Sequence, residues 1–169
     1  MTSTVFSVHP TPIGQALVVV SDEGLVALQI LDGPHDDALA ELTAALHGVP
    51  EHDPDATTPV TGQIDEYFAG RRREFDIALD WQLVRGFVRE ALQAVCEIPY
   101  GQTASYGEVA IATGHVRAHR AVGSACARTP ISIVVPAHRV VRADGSIGEY
   151  GGHPELKRFL LDLEAAAGE

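Results

Sequence analysis

The sequence predicts two units, an α/β N-terminal domain over residues 1–80 and a mainly α-helical C-terminal domain over residues 84–169 with a helix-turn-helix. Three observations carry this. Two apolar runs of strand length flank a turn near the N-terminus, the patterning changes from strand to helix near Trp81 to Arg85, and the charge balance changes at the same place. A chain of 169 residues, 46% hydrophobic and 21% charged, is long enough for one substantial core or two small ones.

Ala16 to Val20 and Leu25 to Leu31 enclose Ser21-Asp22-Glu23-Gly24, a hairpin signal. Leu39, Leu42 and Leu46 recur at three- and four-residue spacing and predict a helix over Asp36 to Leu46, while the Pro, Asp and Thr of Val49 to Pro59 predict a loop. A second short helix is expected over Val60 to Phe68, ending at Gly70, and a half-buried strand over Phe75 to Leu79. Beyond the boundary, Phe87, Ala91, Leu92 and Val95 mark an amphipathic helix that stops before Ile98-Pro99-Tyr100-Gly101. Thr103 or Ser105 caps the next helix, about Tyr106 to Thr113. Gly114 ends it, and another helix follows from about Ala118 to Arg128, closed by Pro130. Two short helices with a glycine turn between them suggest a helix-turn-helix, a pattern that any helical hairpin shares.

The formal net charge of −11 argues against a polyanion partner only if it is spread evenly. Residues 1 to 83 hold 14 of the 23 acidic residues and only Arg71, Arg72 and Arg73 as bases, so the remainder is neutral. Within it, Arg117, Arg120, Arg128, Arg139 and Arg142 occupy a stretch free of Asp and Glu, which favours a polyanion partner over a chance cluster of solvated arginines. Cys96 and Cys126 fit a reducing compartment and give no disulfide framework, and no Cys/His grouping at ligand spacing implies a metal. No segment reaches the roughly 18 apolar residues of a membrane span, so a soluble, cytoplasmic chain is expected.

Six motifs follow one another in the second unit: Ile98-Pro99-Tyr100-Gly101, Ser105-Tyr106-Gly107-Glu108-Val109-Ala110, Arg120-Ala121-Val122-Gly123, Pro130, Pro136-Ala137-His138-Arg139-Val140-Val141 and Tyr150-Gly151-Gly152. In order and approximate spacing they resemble the O6-alkylguanine-DNA alkyltransferases, the methylated-DNA-protein-cysteine methyltransferases, from about Pro12 to Glu164. The resemblance implies a ribonuclease-H-like N-terminal domain and a helix-turn-helix domain that flips a damaged nucleotide out of duplex DNA. It needs no cofactor.

By the same resemblance Ala137 stands at the position of the acceptor cysteine. A methyl group has no lone pair, so direct alkyl transfer is expected to be absent there. His138 and Glu164 match the histidine and glutamate that activate that cysteine, and here are expected as a satisfied buried pair. Tyr106 matches the tyrosine that crowds the phosphate, and Arg120 the arginine that fills the vacated stack. Ala121, Gly123 and Ser124, with Ala125, keep the recognition helix slim enough for a minor groove about 6 Å wide, or merely let helices pack closely. Arg128 and Arg139 join the DNA-binding set. Val135, Pro136, Val140, Tyr150, Gly151 and Gly152 would line the lesion pocket, with backbone groups near Val135 and Val140 reading the guanine edge. Two positions depart from the family: Thr129 stands for the usual hinge asparagine, and Leu92 for a tryptophan.

Three functions are consistent with this. One is a non-transferring reader of O6-alkylguanine, similar to the alkyltransferase-like proteins, which show Ala or Trp at the acceptor position but usually lack the N-terminal domain. The second is a methyltransferase inactivated by a Cys-to-Ala substitution. The third is a helix-turn-helix module without lesion preference. The expected partner is double-stranded DNA carrying O6-alkylguanine, with other repair proteins after it, bound by a monomer without a membrane. Cys126 as a substitute acceptor is the minor reading, since small buried packing is the usual fate of such a residue.

Overall fold

The computed structural model describes residues 3–148 and 150–167. Its contacts divide it into two units, Met1–Leu83 and Val84–Glu169.

In the first unit, β1 (Thr4–Thr11), β2 (Gly14–Ser21), β3 (Gly24–Ile30) and the short β4 (Glu51–His52) form one sheet in the order β3-β2-β1-β4. The β1/β2 and β2/β3 pairs are antiparallel and β1/β4 is parallel. Ala16 to Val19 are buried one after another, so both faces of the central strand are covered, as continuous apolar runs require. On one face Leu17, Val19, Val26 and Ala27 meet Phe6 and Leu42, the last carried by helix α1 (Asp36–Leu46). Helix α2 (Thr58–Phe68) buries Val60, Ile64 and Tyr67.

The hairpin and α1 lie where their patterns predict. Strands β1 and β4 were not anticipated, because β1 carries Pro10 and few alternating apolar residues. Pro10 is tolerated there because β4 pairs only with Val5 and Phe6, so the neighbouring edge is open where its missing N–H would point. The strand expected over Phe75 to Leu79 is instead irregular and makes a single bridge, Leu25 to Leu79, in which the Leu25 N–H donates to Ala78 O at 2.8 Å. Gly24 permits this approach, since its φ is +144° and a Cβ there would lie 2.3 Å from Ala78 O.

The second unit holds α3 (Gly86–Val95), α4 (Tyr106–Ala112), α5 (His119–Ala127) and α6 (Pro154–Ala167), with a parallel pair of two-residue strands, β5 (Ala104–Ser105) and β6 (Val140–Val141). Ser105 caps α4 in a capping box, its Oγ accepting from the Glu108 N–H at 3.0 Å while Glu108 Oε1 accepts from the Ser105 N–H. Because Ser105 is also the last residue of β5, the cap sets Tyr106 beside β6. The final helix was not singled out by periodicity. Two of its inward positions are Lys157 and Glu164, flanking Leu160, and charges at core positions hide the apolar repeat. Among the described residues no helix is long and apolar enough to cross a membrane.

Candidate functional site

Val135 to Val140 are all buried, unusually for a connecting segment. Ala137–Arg139 forms one 3-10 turn that leads directly into β6. Upstream, Ile133 holds φ at +70°, a left-handed conformation that costs a β-branched residue about 1–3 kcal/mol. Burial of Ile131, Ile133 and Val135 over-determines that strained backbone. Thr129, at the expected hinge, bonds only locally: its Oγ1 donates to Ile131 O at 3.1 Å and accepts from the Ile131 N–H at 3.3 Å.

The Glu164 carboxylate organises the turn from α6. His138 Nε2 lies 2.6 Å from Oε2, Arg139 Nε donates to Oε1 at 2.8 Å and Nη2 to Oε2 at 3.1 Å. The Gly101 N–H adds a fourth contact at 3.3 Å, and Arg139 Nη1 donates to Ile98 O at 2.7 Å. The expected His138–Glu164 pair is therefore one part of a buried cluster. It is also incompletely satisfied, since His138 Nδ1 is buried with no hydrogen-bond partner.

Arg139 requires a correction. It was grouped with the DNA-binding arginines, yet it is only 6% exposed and is held by Glu164, Ile98 O and the Tyr100 ring. A guanidinium taken from water keeps a bidentate carboxylate partner rather than reaching for phosphate. The exposed basic set thus reduces to Arg117, Arg120, Arg128 and Arg142.

Burial holds His138 below its usual pKa, against the opposing pull of Glu164, which favours the neutral imidazole. A histidine whose folded pKa is depressed contributes stability that is present above its unfolded value, about 6.5, and is lost as pH falls toward the folded value. Glu164, Arg139 and Lys157 all act on this ring. Denaturant midpoints measured from pH 7.5 to 5 are expected to fall more steeply for the wild type than for His138→Asn. Parallel slopes would remove His138 as the titrating group.

Lys157, not anticipated from the sequence, is 1% exposed, and its Nζ donates to Val140 O at 2.6 Å. The same Nζ lies 5.8 Å from the centre of the Tyr106 ring. Tyr106 is further bounded by Gly123 and Gly148: a Cβ at Gly123 would meet its ring at 3.8 Å, and one at Gly148 would stand 3.1 Å from its hydroxyl. Gly148 also has φ +75°, so a side chain there would be strained in its backbone and crowded against the Tyr106 hydroxyl. The carbonyls expected to read a base are partly engaged, Val135 O by the Ala137 N–H at 2.8 Å and Val140 O by Lys157, which leaves each a second lone pair. Pro136 is buried, Tyr150 half-buried, and Gly151 and Gly152 exposed. Burial pushes the Tyr150 hydroxyl up to about 12 against the hydrogen bond from Ser132, a residue absent from the expected set.

Burial likewise pushes both thiols, Cys96 and Cys126, up to about 11, far from the lowered values of reactive cysteines. On α5, Ala121, Ser124 and Arg120 are exposed, Gly123 is half-buried, and Val122, Ala125 and Cys126 face inward. The small residues therefore divide: Ala125 is buried in the packing, whereas Ala121 and Ser124 stand exposed.

A family model for the 6-O-methylguanine DNA methyltransferase ribonuclease-like domain matches residues 4–81, and one for the DNA-binding domain of the same proteins matches residues 86–166. A methylated-DNA–protein-cysteine methyltransferase of Mycobacterium tuberculosis is 39% identical over 91% of this chain and 88% of its own length, and one from Methanosarcina barkeri is 35% identical over 94% and 96%. The crystal structure of the M. tuberculosis O6-methylguanine methyltransferase superposes with a TM-score of 0.83 at 36% identity, covering 97% of this chain and 94% of that one. A crystal structure of the M. tuberculosis protein in complex with DNA gives 0.81 at 37% identity, over 96% and 93%. With both units matched in order and over nearly their full length, the chain belongs to the 6-O-methylguanine DNA methyltransferase family.

Proposed function

We propose that this protein recognises O6-alkylguanine in duplex DNA by flipping the nucleotide and does not take the alkyl group. The observation that carries the reading is Ala137, a buried methyl group immediately before the His138–Glu164 pair, at the place where the family's motif has its acceptor cysteine. A general base and its orienting carboxylate remain, and between them and a lesion there is no sulfur to activate. The raised pKa values of Cys96 and Cys126 support the same conclusion, since neither supplies a ready thiolate at neutral pH. Arg120, exposed near the start of α5, is the residue to fill the vacated stack, and Tyr106 at the start of α4 the one to crowd the phosphate. A second reading is equally consistent with full-length similarity to methyltransferases: the cysteine of such an enzyme was replaced and the DNA-reading step persists unchanged.

The test is fluorescence anisotropy with matched duplexes containing guanine or O6-methylguanine, at one fixed salt because phosphate contacts make affinity salt-dependent. A preference of tenfold or more, about 1.4 kcal/mol, is expected. Equal affinities would leave a helix-turn-helix module without lesion preference as the better description.

Ala121→Leu separates groove entry from helix packing. Its position is exposed, so stability should change by no more than about 0.5 kcal/mol. Binding to either duplex is expected to fall at least tenfold, because added bulk holds the helix out of a groove about 6 Å wide. Unchanged binding would argue that α5 does not enter the groove.

A further inference from the structure

We propose that Lys157 is a positioning residue for lesion reading, holding the Val140 carbonyl and the Tyr106 ring in place so that an alkylated guanine is distinguished from an ordinary one. This rests on the function proposed above. A lysine only 1% exposed is costly to bury, and an apolar side chain of similar volume would serve packing alone as well or better. Its setting shows what the amine does instead. Lys157, Leu160 and Glu164 recur at spacings of three and four, so they form one inward stripe of α6. Glu164 grips His138 and Arg139, and Lys157 grips Val140, so a single helix face clamps three successive residues of the motif.

Val140 is placed by its backbone and by its carbonyl. It pairs with Ala104 across the β5/β6 ladder, and Lys157 Nζ takes the carbonyl oxygen itself at 2.6 Å. An amine on one lone pair orients the carbonyl and leaves the second for another donor. On its other side the same Nζ stands 5.8 Å from the Tyr106 ring centre, within the range of cation–π attraction. Tyr106 follows Ser105, whose partner across the ladder is Val141, so the tyrosine and the carbonyl are already neighbours by backbone connection. Lys157 ties the two together. General affinity for duplex belongs to the exposed arginines and does not pass through this buried group.

The experiment compares wild type, Lys157→Met and Lys157→Arg, all as full chains. Each is measured for affinity to duplexes with O6-methylguanine or guanine, and for the carbonyl 13C shift of Val140 in the free protein. Lys157→Met is expected to fold, to lower the lesion-to-guanine preference at least tenfold, to leave affinity for the undamaged duplex within twofold, and to move the Val140 carbonyl signal. Lys157→Arg should recover part of the preference, because it keeps a donor at the carbonyl. A methionine variant that retains the wild-type preference within twofold, or loses affinity for both duplexes equally, overturns the proposal while leaving the proposed function standing. Equal affinities already in the wild type overturn both.

Discussion

Ala137→Cys is expected to yield a protein that accepts a single methyl group per molecule from O6-methylguanine in duplex DNA. The carbon–sulfur bond forms as the bond from methyl to O6 breaks, the electron pair passes to the guanine, and the thiol proton leaves through His138. The groups that would carry that proton are His138 and Glu164. Burial pulls the His138 pKa below its usual value, its Nε2 lies 2.6 Å from Glu164 Oε2, and its Nδ1 is buried with no hydrogen-bond partner. A base oriented by a third group is the arrangement that activates a weak nucleophile. Mass spectrometry after incubation with alkylated duplex should show one methyl adduct on the variant and none on the wild type. Adding His138→Gln to Ala137→Cys is expected to slow transfer by about 10²–10⁴-fold, the usual contribution of a positioned general base. An Ala137→Cys protein that binds the lesion but never becomes methylated would mean that the turn does not aim its first side chain at the base. A methyl adduct on Cys126 of the wild type would overturn the non-transferring reading.

The second large effect is structural. Glu164→Gln keeps the shape of the side chain and removes its charge, leaving Arg139 as a buried guanidinium without a counter-ion and weakening the bond to His138. Breaking a buried pair in this way costs about 3–5 kcal/mol, and the loss is expected to appear in urea unfolding followed by circular dichroism. Arg139→Gln should destabilise by a similar amount. The double variant should be less damaged than the two losses added together, because each single change strands the other partner. A loss below about 1 kcal/mol in Glu164→Gln would show that the cluster is solvated and not a clamp. The order of effects also matters for function. If Glu164 acts mainly by shaping the turn, Lys157 and Glu164 variants will differ, the first altering lesion preference in a folded protein and the second stability.

Much of the site was legible because its chemistry is written in consecutive residues. Pro136 to Val141 needed no fold to be noticed, and the alanine at position 137 is visible in a single letter. The hairpin, α1 and the helices around Gly114 were likewise readable, since each buries one face at a regular period. What failed did so for a reason. Phe75 to Leu79 alternates like a strand, but it is spent on one bridge to Leu25 beside Gly24. Strand β1 hides behind Pro10, and α6 behind the charges at two of its inward positions.

Arg139 shows where local reading ends. Five arginines without an acidic neighbour look alike in sequence, yet four are exposed and one is folded inward against a carboxylate 25 residues away. Neither its burial nor that of Lys157 is encoded nearby. Each depends on which residue of α6 comes to face the motif, and that is settled only when the helix docks and the cost of burying each charge is offset by a particular partner. The sequence by itself thus determined the family resemblance, the alternation of elements and the alanine at position 137 of the motif, because these are properties of order and residue type. The tertiary structure alone decided that Glu164 and Lys157 hold three successive motif residues from one helix face, because hydrogen bonds between distant residues exist only after the chain has closed on itself.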